Sequence, residues 1–305
     1  MYNLIVIVGP TGSGKSHLAL SVAARLNGEI VSCDSVQVYR GFDIGTAKLG
    51  VQDRQGILHH LIDIVNPSEV FTAGDYARMG RLTLVEIAGR ERVPVVVGGT
   101  GFYLRALIDG LSSGPQRDEA LRARLLNRET RHKGSLHRIL GRLDSSAAQA
   151  IHPNDLNKSL RALEIRLLSA APRTVLPARE PLHGFRVLKI GLNPDRVALN
   201  SRLDRRLARM FAQGLIGEVR ALLDSGASPL AKPFESLGYK EALRYIQGTL
   251  SFDESLQAAQ RSTRQYAKRQ MTWFRHETGV TWFNGFGDDP DIERRVHVAV
   301  RLWDR

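Results

Sequence analysis

The sequence predicts an α/β fold: a parallel β-sheet core flanked by helices, carrying an inserted all-helical lobe. Three observations carry this reading. Short β-branched runs at 5–8 (IVIV), 29–33 (EIVSC) and 93–99 (VPVVVGG) alternate with helix-like stretches, the pattern of parallel strands joined by crossover helices. The first run stops at Gly9-Pro10, and a helix-like stretch begins near Lys15. From Gly114 to about Pro181 the pattern becomes nearly all helical and arginine-rich, with Leu121, Leu125, Leu136, Ile139, Leu140 and Leu143 at helical spacing.

The elements follow in order. Strand 5–8 leads through Gly9, Pro10, Thr11, Gly12, Ser13, Gly14, Lys15 and Ser16 into a helix over 15–26. The spacing Gly9-x-x-x-x-Gly14-Lys15-Ser16, with a strand before and a helix after, is a phosphate-binding P-loop, so the core is expected to be P-loop NTPase-like. Glycines let backbone N–H groups approach an anion, and the helix N-terminus adds partial positive charge. Lys15 is expected to neutralise phosphate oxygens, and the Ser16 hydroxyl to reach a Mg²⁺ ion. Strand 29–33 is followed directly by Asp34, helices are expected over 74–89 and 101–109, and further strands over 186–192 and 280–283. Helices over 195–213, 215–225 and 253–276 complete the chain, separated by Gly226–Pro233 and the stretch SLGYKE at 236–241. The expected organisation is a core of 1–113 and 186–305, with a helical insertion over 114–185.

Bulk composition narrows the function. At 305 residues, with 43% hydrophobic and 24% charged residues, the chain is an ordinary globular one with ample core. Cys33 is the only cysteine, which excludes an intrachain disulfide and a cysteine-rich metal site. No apolar run approaches a membrane span, and a core strand begins within four residues of the N-terminus, so a cytoplasmic protein without signal peptide is expected. Residues 1–110 carry ten basic and ten acidic side chains, so the net charge of +12 lies wholly in residues 111–305. A basic half beside a neutral phosphate-binding half suggests a polyanionic partner; an arginine-rich solvated surface is the alternative.

P-loop ATPases and GTPases usually carry an Asp at the end of a second apolar strand. Here the candidate, PVVVGGTG at 94–101, ends in Gly98-Gly99-Thr100, glycines that would let a ligand approach the backbone. The carboxylate stands instead at Asp34, where the carboxyl end of a parallel strand would aim it at the loop's anion. Its expected task is metal ligation or general base; capping the turn that follows is the structural alternative. His59, His60 and His152 fit no metal-ligand spacing.

In order, GPTGSGKS (9–16), DSVQVY (34–39), DIGTAK (43–48), HHLID (59–63), GGTGFY (98–103), HPND (152–155), RALE (161–164), GLIGEV (214–219), SLGYKE (236–241) and TRQYAKRQMTWFR (263–275) resemble the tRNA dimethylallyltransferases, the bacterial tRNA isopentenyltransferases. The likeness runs from about residue 4 to 285 and lacks the C-terminal zinc finger of eukaryotic relatives. It implies that the P-loop holds dimethylallyl diphosphate with Mg²⁺, without ATP hydrolysis. The prenyl group would pass to the exocyclic N6 amine of the adenosine 3′ of the tRNA anticodon. Carried over by position, Asp34 is the base, Lys15 and Arg206 attend the diphosphate, and Thr100 lies where amine and diphosphate meet. The implied tRNA contacts are Asp34, Ser35, Val36, Gln37, Thr100, Arg122, Asn157, Lys158, Ser159, Leu160, Arg161, Ser236, Leu237, Gly238, Tyr239, Lys240 and Glu241. The 114–185 insertion would be a tRNA-binding lobe, and the enzyme a cytoplasmic monomer. In 261–275, Arg261, Arg264, Lys268 and Arg275 share a helical face suited to phosphate tracking, while Trp273 and Phe274 read as core anchors. Adenylate isopentenyltransferase, a P-loop small-molecule kinase and a non-catalytic RNA-binding module remain as alternatives.

Overall fold

A computed structural model describes residues 1–112, 114–169 and 179–304. The 170–178 part of the expected helical insertion lies outside the described residues. The chain divides into two compact units, one of Met1–Ile108 with Leu182–Arg305 and one of Asp109–Pro181.

The larger unit is built on six strands: β1 (Tyr2–Val8), β2 (Glu29–Cys33), β3 (His59–His60), β4 (Pro94–Gly98), β5 (Phe185–Leu192) and β6 (Val280–Phe283). They pair in the order β3-β2-β4-β1-β5-β6, every pair parallel. The strand runs are apolar throughout because both faces of a parallel sheet are covered. Ile5, Ile7, Ile30, Val95, Val97, Ile190 and Leu192 meet α1 (Lys15–Arg25) and α12 (Pro290–Trp303) in one core cluster. On the alternate parity, Leu4, Val6, Val31 and Val96 are buried as well. Helices α2 (Ala73–Gly89), opened by a Thr72–Asp75 capping box, and α3 (Gly101–Ile108) pack together. Past β5 come α8 (Arg196–Ala212), α9 (Leu215–Asp224), α10 (Tyr239–Ile246) and α11 (Phe252–Phe274). Val38, Tyr39 and Phe42 sink into a second core with Leu207, Met210, Phe211, Leu215, Val219, Phe234 and Tyr239.

The sheet topology positions the site. Neighbouring strands β2, β4 and β1 release Asp34, Gly99-Thr100 and the P-loop side by side at their carboxyl ends.

The smaller unit holds α4 (Glu119–Arg131), α5 (Ser135–Leu143), α6 (Ser145–Ala150) and α7 (Leu156–Leu168) around Leu125, Leu136, Leu140, Ala148, Ile151, Leu160 and Leu163. Leu143, at helical spacing with these, is exposed. The buried Glu164 accepts from Arg122 Nη1 at 3.1 Å, Arg161 Nη1 at 2.5 Å and Asp118 N at 2.8 Å, so its charge is compensated. Among the described residues no helix is long and apolar enough to cross a membrane.

Candidate active site

The P-loop closes a cavity of about 310 Å³ lined by Gly12, Gly14, Lys15, Ser16, Asp34, Arg202, Arg206, Arg209, Tyr266 and Gln270, among others. Gly14 caps α1 at φ +85°, a left-handed conformation, and turns the chain into the helix. Not every loop amide faces an anion, as the motif alone suggests. Thr11 N donates to Gln270 Oε1 at 2.8 Å, and Ser13 N to Pro10 O at 3.2 Å. Among the described residues no hydrogen bond engages the amides of Gly12, Gly14, Lys15 and Ser16, which leaves them for a ligand. Lys15 Nζ donates to Pro10 O at 2.8 Å. Burial first, and repulsion from Arg206 second, lower the Lys15 ammonium to about 7. The Arg206 guanidinium is likewise held below its usual value by burial and by Arg202 and Arg209, with Asp34 opposing.

An anion entering this cavity favours charged Lys15 and therefore draws in a proton wherever the lysine was neutral, that is, above about pH 7. Calorimetry of diphosphate binding at pH 8, in two buffers of different ionisation enthalpy, is expected to read more proton uptake for the unmodified chain than for Lys15→Met. Equal uptake in both would contradict the shift.

Asp34 makes the turn cap that the sequence offers as its structural alternative. Its Oδ1 accepts from Val36 N at 2.8 Å and Gln37 N at 3.2 Å, capping the turn. No hydrogen bond among the described residues engages Oδ2, and the residue lines the cavity. It also lines a second cavity of about 330 Å³, with Val36, Leu203, Leu207, Met210, Ser236, Leu237, Tyr266 and Arg269 on its wall. Thr11, Asp34, Thr46, Arg206 and Tyr266 belong to both, so the carboxylate stands where a cationic cavity meets a more apolar one.

Thr100 stands one layer back from where position alone put it. It lines neither cavity; its Oγ1 accepts from Ser35 N at 3.1 Å and lies beside the Tyr266 phenol, bracing the turn that carries Asp34. The glycines of GGTG are also explained differently. A Cβ on Gly98 would lie 2.0 Å from Cys33 O, one on Gly99 2.1 Å from Gln270 Nε2 and one on Gly101 2.1 Å from Trp273 Nε1. They admit β2 and α11, and Gly98 and Gly99 also line the first cavity, where a ligand can reach their backbone.

Of the arginines on α8, Arg202, Arg206 and Arg209 line the first cavity, while Arg205 turns to Ser201 Oγ at 2.8 Å. Tyr266 and Gln270 also line the first cavity, although the basic face of 261–275 does not point to them. Their signal was the i, i+4 spacing that places both beside Thr263 and Ala267, away from that face. Gln270 also donates to Gly99 O at 2.9 Å, tying the P-loop to the end of β4. Phe274 is a buried anchor, and Trp273 packs under Arg105, whose guanidinium lies 4.3 Å from the ring centroid. Arg264 is paired with Asp204, leaving Arg261, Lys268 and Arg275 exposed.

The expected tRNA contacts divide. Ser35, Val36, Gln37, Ser236 and Leu237 are half-buried, and each lines one of the two cavities; Asn157, Lys158 and Lys240 are exposed. Ser159, Leu160, Gly238, Tyr239 and Glu241 are buried and serve packing. Tyr239 OH donates to Glu218 Oε1 at 2.5 Å and accepts from Gly45 N at 3.1 Å, and Glu241 accepts from Gly238 N and Ser262 Oγ. Arg122 and Arg161 are engaged by Glu164. DIGTAK is structural in the same sense: Lys48 Nζ donates to Asp43, Asp63 and Tyr39 O. His59 and His60 bond to Ile57 O and Glu29, and His152 accepts from Asn154 N. No cluster of three metal-ligating side chains occurs among the described residues.

A family model described as IPP transferase matches residues 37–277. The tRNA dimethylallyltransferase of Solibacter usitatus is 57% identical over 299 residues, covering 97% of each chain. That of Koribacter versatilis is 52% identical, covering 95% of each. Among solved structures, the tRNA isopentenylpyrophosphate transferase of Bacillus halodurans superposes with a TM-score of 0.74 at 39% identity, covering 99% of this chain and 96% of that one. A eukaryotic dimethylallyltransferase acting on tRNA superposes with a TM-score of 0.84 at 26% identity, covering all of this chain and 80% of the other.

Proposed function

The chain belongs to the IPP transferase family, and from that premise we propose that it transfers a dimethylallyl group from dimethylallyl diphosphate to the N6 amine of the adenosine 3′ of the tRNA anticodon, releasing diphosphate. The observation that carries the reading is the unengaged Oδ2 of Asp34 at the junction of the two cavities. The cationic cavity suits a diphosphate, and the more apolar one suits a prenyl chain and a base.

An adenine exocyclic amine is a weak nucleophile because its lone pair is delocalised into the ring. As its nitrogen forms the bond to the allylic carbon, the allylic C–O bond breaks, its electrons go to the diphosphate, and the amine proton goes to Asp34. General-base assistance of this kind contributes about 10²–10⁴-fold. Oδ1, held by two amides, fixes the carboxylate while Oδ2 receives the proton. Lys15, Arg206 and the free amides of the P-loop stabilise the charge gathering on the leaving group, each such donor being worth about 10²–10³-fold in comparable sites. Arg206 lines both cavities and so can follow the charge from ester oxygen to free diphosphate.

The donor set suits Mg²⁺: Ser16 offers one exposed hydroxyl at the start of α1, and this ion takes most of its ligands from substrate phosphates and water. When bound there, it would neutralise diphosphate charge. Exposed Arg261, Lys268 and Arg275 on α11, and exposed Asn157 and Lys158 in the smaller unit, are the candidate RNA contacts; the protein is read as a cytoplasmic monomer.

Incubation with radiolabelled dimethylallyl diphosphate, Mg²⁺, ATP and either tRNA or AMP tests the reading. Label in tRNA alone is expected. Label in AMP would favour adenylate prenylation, and ATP consumption with label in neither would favour a kinase.

A further inference from the structure

The turn joining β6 to α12 lies directly against the P-loop. Gly287 N donates to Ser13 O at 2.8 Å, and a Cβ on Gly14 would lie 2.6 Å from Asp288 Oδ1. The Asp288 carboxylate thus sits at the start of α1, beside the amides that face the cavity. It grips Arg202 with both oxygens, Nη1 to Oδ1 at 2.9 Å and Nη2 to Oδ2 at 2.7 Å. This fork holds the Asp288 carboxyl below the usual carboxylate range. Phe286 supports the other side, with the guanidinium 4.8 Å from its ring centroid. Yet Arg202 also lines the first cavity with Lys15, Arg206 and Arg209.

The arrangement has a cost that packing does not explain. A fixed negative charge at the start of α1 opposes a diphosphate, and a bidentate partner holds back one of the cations that would bind it. Asp288 and Arg202 are each about one-third exposed, so exchanging partners requires no buried charge to be stranded. We infer that Asp288 is a positioning residue that limits how tightly the site holds diphosphate, by keeping Arg202 at the rim and sharing it with the bound anion. This rests on the reading of the first cavity as the diphosphate site. Its consequence is easier departure of the product, which resembles the substrate's head group and would otherwise remain in the same cationic cavity.

Calorimetric binding of inorganic diphosphate to the full chain tests it without relying on prenyl transfer. Asp288→Asn, nearly isosteric, is expected to tighten binding about three- to tenfold, the scale of one unit charge acting across a partly screened site. In steady state the same variant should lower KM for the allylic diphosphate and strengthen inhibition by diphosphate, whereas a merely structural role would raise KM and lower kcat together. Arg202→Gln is expected to weaken diphosphate binding, and Asp288→Asn should tighten binding less in that background than alone. Arg202→Gln also gives a reading should Asp288→Asn fail to fold. Unchanged or weaker diphosphate binding by a folded Asp288→Asn, or unchanged binding by Arg202→Gln, would overturn the inference. Failure of the unmodified chain to bind diphosphate would overturn the reading of the cavity itself.

Discussion

Asp34→Asn is expected to lower kcat for prenyl transfer by about 10²–10⁴-fold, the range of a lost general base, while tRNA affinity stays within about threefold. Asparagine keeps an oxygen that can accept from Val36 N and Gln37 N, so the turn has no reason to unfold. What disappears is the second oxygen's basicity at the meeting point of the cavities. The substitution also removes the attraction by which Asp34 helps to keep Lys15 and Arg206 charged, so the Lys15 ammonium is expected to lose its proton at a lower pH than in the unmodified chain. Single-turnover rates with saturating substrates, compared with filter binding of tRNA, separate the two effects. A variant that lost affinity and kept its rate per bound complex would assign Asp34 to RNA binding instead.

Gly98→Ala is expected to destabilise the fold by about 3 kcal/mol or more. A Cβ there would stand 2.0 Å from Cys33 O and 2.4 Å from Cys33 C, and backbone atoms paired across β2 and β4 cannot step aside as a flexible side chain can. The damage falls one residue before Asp34, so activity should fall in the fraction that still folds. Chemical denaturation reads the loss; a change below about 1 kcal/mol would contradict this account of GGTG. The same argument distinguishes Gly14, where Asp288 fills the space, from Gly56, where nothing lies within 4 Å.

What could be read from the sequence was local. The P-loop declares itself by fixed spacing between a strand and a helix, and Asp34 by its place one residue past an apolar run. The parallel sheet followed from continuous β-branched runs, and the solved relatives agree with that fold. β3 escaped because it is two histidines at a sheet edge, without any apolar alternation. α10 lies inside a stretch read only as a separator. Helix α12 lies outside the expected elements although Asp289-Pro290 and the spacing of Ile292, Val296 and Val300 announce it. Roles that depend on distant contacts were less accessible. Gly98 and Gly99 do line the first cavity, but the close approach of Gln270 to Gly99 is something no local pattern reveals. A motif also gives no indication of which of its residues turn inward: in SLGYKE, Lys240 is exposed while Tyr239 and Glu241 are buried. RALE behaves alike, its arginine answering the buried Glu164.

The central claim is that one carboxylate, pinned through Oδ1, presents Oδ2 to the amine of an adenine while a diphosphate occupies the adjoining P-loop. The distance from Asp34 Oδ2 to that amine, in a crystal of the chain with an anticodon stem-loop and an unreactive allylic diphosphate analogue, measures it directly. A separation of about 2.6–3.2 Å is expected. A carboxylate directed away from the base, or a nucleoside triphosphate seated productively on the loop, would contradict it.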